Sequence, residues 1–112
     1  MTKIYYVEIN DNPQDQFIDE EELRMYGVDC DVLFYWYEYY SYSGGGRLLM
    51  RDNNKWYLHD MGHCSCYGPL SDANKAPFIA DKLSEIKDKC SEEEWTSYVK
   101  LLVDCAKKVG YK

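Results

Sequence analysis

Gly62 to Pro69 reads Gly-His-Cys-Ser-Cys-Tyr-Gly-Pro and concentrates more reactive side chains than any other stretch of this 112-residue chain. With His59 just upstream, His63, Cys64 and Cys66 make four potential zinc ligands. A structural zinc ion takes four N or S ligands at the corners of a tetrahedron. The spacing works against that here. Cys64 and Cys66 are one residue apart, not the two to four that wrap a metal, and Cys30, Cys90 and Cys105 are scattered. Zinc at His59, His63, Cys64 and Cys66 is therefore the alternative, and the expectation is no cofactor. A second reading is thiol chemistry. Adjacent residues such as His63 and Cys64 point to opposite sides of an extended chain, which disfavours a thiolate–imidazolium pair. The Cys-x-Cys unit also lacks the helix N-terminus that lowers thiol pKa in Cys-x-x-Cys proteins. A third reading is purely architectural. Gly62 and Gly68 supply special backbone angles, Pro69 fixes the exit, and the small cysteines pack as hydrophobes, with Tyr67 at hand for contact.

No paired carboxylates, no Ser-His-Asp pattern and no dinucleotide fingerprint stand out. Ser43 to Gly46 followed by Arg47 is glycine-rich, but it lacks the Gly-Lys-Ser/Thr ending of a phosphate loop. It reads as a flexible turn. The chain is therefore expected not to be an enzyme.

Charge is the other functional signal. Net charge is −7, carried entirely by one half of the chain. Residues 1–45 hold ten acids and two bases, whereas residues 46–112 hold ten acids and eleven bases. Asp19, Glu20, Glu21, Glu22, Asp29 and Asp31 form the densest part of this acidity. Such a field repels nucleic-acid phosphates and anionic membranes and attracts a basic protein surface. The plainer reading of the same run is a solvated helix face that keeps the domain soluble. Twelve tyrosines add a second recognition resource, since tyrosine offers large amphipathic area at low entropic cost. Tyr37, Tyr39, Tyr40 and Tyr42 crowd the end of one segment.

The elements that must position these residues follow from periodicity. The length suits one domain over residues 1–112. Met1 to Ile9 reads as a strand. Residues 18–26 suit a short acidic helix with Asp19 as cap and Gly27 as stop. Asp31 to Tyr42 is the strongest strand, apolar or aromatic on both faces, and so a central strand. Arg47 to Arg51 and Lys55 to Asp60 make a hairpin around Asp52-Asn53-Asn54, whose residues tolerate positive φ. From Pro77 the period becomes helical: Phe78, Ile79, Leu83 and Ile86 share a face, with Pro77 in the first turn. Ser91 with Glu94 opens a second helix by a capping-box pattern. Trp95, Tyr98, Val99, Leu102, Cys105 and Ala106 make its apolar stripe, and Gly110 stops it. The expected fold is α+β: an antiparallel sheet of three to four strands with two C-terminal helices packed on one face.

An odd cysteine count, five in all, and no secretory segment lead to the expectation of reduced thiols in the cytoplasm. No apolar run reaches the ~20 residues that span a bilayer.

The segment from Ser41 through Ser43-Gly44-Gly45-Gly46 to Trp56-Tyr57-Leu58-His59-Asp60-Met61-Gly62-His63-Cys64-Ser65-Cys66-Tyr67-Gly68-Pro69 resembles a family of small phage and prophage proteins. Their mark is Gly-x-Cys-Ser-Cys-Tyr-Gly after a Tyr/Gly-rich hairpin. The resemblance covers residues 35–72 and transfers no activity and no catalytic residue. It implies a phage origin and a bacterial host cytoplasm. In that setting the acidic face and the tyrosines point to a protein that binds and inhibits or modulates a host protein with a basic surface. By analogy with DNA-mimicking inhibitors, that host protein is a nucleic-acid-processing defence enzyme such as a CRISPR or restriction nuclease. An accessory role in phage assembly, through self-association, is a further reading.

Overall fold

The computed structural model describes residues 2–7, 19–40, 43–63 and 76–112. They form an α+β fold built on one five-stranded sheet in the order β1-β2-β3-β4-β5. The strands are β1 (Lys3–Tyr6), β2 (Val32–Tyr40), β3 (Ser43–Asp52), β4 (Lys55–His63) and β5 (Phe78–Ala80). The helices are α1 (Glu20–Met25), α2 (Leu83–Lys89), α3 (Glu92–Glu94) and α4 (Lys100–Val109), with a π-helical turn (Trp95–Val99) joining α3 to α4.

Both faces of the sheet are covered. Val32, Phe34, Leu49, Trp56 and Leu58 point to one side and pack with Leu83, Ile86, Val99, Leu102, Val103 and Ala106. This is the larger core, under the two C-terminal helices. Leu33, Tyr35, Leu48 and Met50 point to the other side and pack with Leu23, Val28 and Cys30. The alternation of β2 thus serves two cores at once, as its sequence implied.

Three features differ from the sequence expectation. The sheet has five strands, not three or four, and it is mixed. β1 pairs with β2 in parallel, Lys3 opposite Val32 and Tyr6 opposite Tyr35. A parallel pair needs a long crossover, and the connection carrying α1 supplies it. Second, Phe78 and Ile79 do not start a helix. Phe78–Ala80 adds to β4, and Pro77 accepts a hydrogen bond from the Leu58 amide at 3.2 Å. The edge of β4 offers unpaired backbone there, and ladder bonds outweigh a weak helical period. Third, Ser43–Gly46 is not a turn. These residues pair with Tyr37–Tyr40 on one side, and Gly44–Gly46 also pair with Met61–His63 on the other. Glycines in an interior strand leave room for bulky neighbours. Arg47 follows them in the strand and is ion-paired with Asp60, so no phosphate loop exists here.

Two backbone reversals complete the larger core and the hairpin. Gly110 (φ 117°) takes the left-handed conformation, and the Tyr111 amide donates to the Ala106 carbonyl. That reversal lays the Tyr111 ring edge-on against Phe34 and Trp56. The β3–β4 turn carries positive φ at Asn53 and Asn54, as a two-residue hairpin requires. Among the described residues, no helix is long and apolar enough to cross a membrane.

Candidate functional site

α1 ends in the same way as α4. Gly27 (φ 71°) is left-handed, its amide donates to the Arg24 carbonyl, and the Val28 amide donates to the Leu23 carbonyl at 2.8 Å. Leu23 and Val28 are both buried, so the reversal is clamped by an apolar contact. The chain then runs extended into β2. The Asp31 amide donates to the Arg51 carbonyl, and the Asp31 carbonyl accepts from Lys3. The Thr2 hydroxyl donates to the Cys30 carbonyl at 2.7 Å. Cys30 points into the core, and Asp29 and Asp31 stand in solvent.

Asp19, Glu21, Asp29 and Asp31 are exposed and Glu20 is half-buried. α1 and the segment leading into β2, which carry them, pack on the smaller core through Leu23, Val28 and Cys30, on the sheet face opposite the C-terminal helices. Residues 19–31 hold six acids and one base, whereas residues 76–112 hold seven of each. The segment carrying α1 and the entry to β2 is strongly acidic, and the segment carrying the C-terminal helices is neutral.

Between α1 and the β3–β4 hairpin the surface sinks into two adjoining depressions. One, of about 270 Å³, is lined by Val28, Asp29, Met50, Asp52 and Tyr57. The other, of about 440 Å³, lies against α1 and includes Thr2, Glu20, Leu23 and Arg24. They share Gly27, Val28 and Asp29. Asp52 is a member of this site that no sequence signal singles out. Only the register of β3 against β2 brings it beside Asp29, and no local pattern announces that.

The negative field is felt by Cys30. Burial pushes its thiol up to about 11, against an ordinary value of 9.0. The Thr2 hydroxyl opposes this, while Asp52, Asp29 and Asp31 add to it. A neutral, buried thiol is a poor nucleophile. Cys30 is expected to resist an aromatic disulfide reagent at pH 8 in the folded chain and to react after denaturation. The linkage has a definite sign. Above pH 9 the unfolded thiol ionises while the folded one holds its proton up to about pH 11. Stability is thus present below pH 9 and lost as pH rises to 11. Measured against Cys30→Ala in paired urea titrations, the loss should be on the order of 2 kcal/mol.

The tyrosine and His-Cys predictions fall elsewhere. The backbone of Tyr37, Tyr39 and Tyr40 lies in the outer half of β2. Their side chains, and that of Glu22, lie outside what is described, as does Tyr42. Gly62 and His63 end β4, and Cys64, Cys66, Tyr67 and Gly68 lie outside the described residues. His59 and His63 are four residues apart on one strand, about 13 Å at the usual rise. Among the described residues, no group of three or more His, Cys, Asp or Glu is placed to hold a metal.

Comparison with family models, with characterised proteins and with solved structures finds no match for this chain.

Proposed function

We propose that this protein is a small non-enzymatic binding protein of phage origin that docks through its acidic face onto a basic surface of a host protein, and so inhibits or modulates it. A nucleic-acid-processing defence enzyme, such as a CRISPR or restriction nuclease, is the kind of partner with such a surface. The observation that carries this reading is the one-sided charge. Glu21, Asp29 and Asp31 are exposed around α1 and make no ion pair among the described residues, while the C-terminal helical face is balanced. Carboxylates left without counter-charge keep their full field for a partner. The phage setting rests on the Cys-Ser-Cys-Tyr-Gly segment alone.

The test is capture from nuclease-treated bacterial lysate by the tagged chain. A stoichiometric basic protein, held at about 0.05 M salt and released near 1 M, is the expected result, because screening shortens to ~3 Å at the higher salt. Capture that is insensitive to salt, or no specific partner at either salt, would count against the acidic face.

A further inference from the structure

The depression beside the hairpin has its own charge logic, and its proposed occupant presupposes the acidic-face binding role. Its walls are Val28, Met50 and Tyr57, and its carboxylates are Asp29 and Asp52. The hairpin carries three Arg and Lys side chains; Arg47 is ion-paired with Asp60, and neither Arg51 nor Lys55 is ion-paired with Asp52. Arg51 is on the opposite sheet face, its guanidinium 5.9 Å from the centre of Trp56 and 5.4 Å from that of Tyr111. Lys55, directly across from Asp52 in the register, holds its ammonium 5.9 Å from the centre of the Phe78 ring. Neither Asp29 nor Asp52 makes an ion pair among the described residues. The result is an apolar cleft with an aromatic wall and two uncompensated carboxylates.

At about 270 Å³ the cleft sits below the ~300–1,000 Å³ of typical small-molecule sites. It suits one long side chain. Arginine matches every part of it. Its alkyl stem covers apolar surface, its planar guanidinium stacks on an aromatic face, and its five donors serve two carboxylates at once. We propose that the cleft between Asp29 and Asp52 takes an arginine side chain of the partner protein, as the anchor of the interface.

The test uses the whole ¹⁵N-labelled chain and two peptides, acetyl-Gly-Arg-Gly-amide and its citrulline counterpart, which keeps the shape and loses the charge. The arginine peptide should give saturable shifts at millimolar concentration, centred on Val28, Asp29, Met50 and Tyr57. The citrulline peptide should bind at least ~10-fold more weakly, and the double variant D29N/D52N should lose a similar factor for arginine. Equal response to citrulline, shifts spread over Asp19 and Glu21 that survive in D29N/D52N, or no saturation overturns the proposal. With a captured partner, D29N/D52N should weaken capture. If capture survives D29N/D52N but is lost on reversing Glu20, Glu21 and Asp31, the anchor is wrong and the acidic-face reading stands. If capture survives both, the acidic-face reading itself fails.

Discussion

Replacing Trp56 by alanine is expected to cost about 4 kcal/mol and to come close to unfolding the domain. Trp56 is fully buried at the centre of the larger core. Its ring is 6.3 Å from Phe34 and 6.0 Å, edge-on, from Tyr111, and the Arg51 guanidinium lies over it. Truncation removes all three contacts and leaves a cavity among rigid neighbours, for which Trp→Ala costs about 3–5 kcal/mol. A domain of this size has only roughly 5–15 kcal/mol to lose. The urea midpoint should fall by about 2 M at an ordinary slope. Trp56→Phe is the informative control. The indole Nε1 is buried with no hydrogen-bond partner among the described residues, so removing it breaks no bond. Phenylalanine keeps an aromatic ring and discards an unsatisfied donor, and most of the stability should remain. If alanine were tolerated within about 1 kcal/mol, the packing of the C-terminal helices on this face would be wrong.

That core was largely legible in the sequence, because it is written in local periodicity. Val32, Phe34 and Trp36 alternate with Leu33 and Tyr35, and the structure sends the two sets to opposite cores. Val99, Leu102 and Ala106 recur at helical spacing and are all buried. Asn53-Asn54 marked its hairpin through a known tolerance of positive φ. What the sequence hid is non-local. β1 reads as a strand, but its parallel pairing with β2 does not show in its residues; β5 is short and only a partner strand makes it one, while Phe78 and Ile79, placed five and four residues before Leu83, imitate a helix. Gly44–Gly46 reads as a turn until the tyrosines opposite it are known. The acidic half of the candidate site was visible as composition. Its geometry was not, because Asp52 is over twenty residues from Asp29 and joins it only through strand register. The diversion of Arg51 and Lys55 onto aromatic rings is equally invisible in one dimension, yet it decides whether Asp52 is neutralised.

Reversing Glu20, Glu21 and Asp31 to lysine should slow association with the captured partner on the order of 10- to 100-fold at low salt, with the difference shrinking as salt rises. Each reversal adds two charges, so three take the net charge from −7 to −1. The weakness of such an experiment is that net charge alone alters association. A matched variant removes it. Asp88, Glu92 and Asp104 are exposed on the C-terminal helices, and reversing them gives the same −1. If the field that steers the partner is local to α1 and the entry of β2, the matched variant keeps most of the association rate. If only the total charge matters, both variants fall together and the one-sided surface has no role. Lysines in the first turn of α1 oppose its dipole, at about 0.3–1 kcal/mol each, so thermal melts of both variants are needed. A folded α1 variant that binds slowly, beside a folded control that binds well, would place recognition on the acidic face rather than in the composition of the chain.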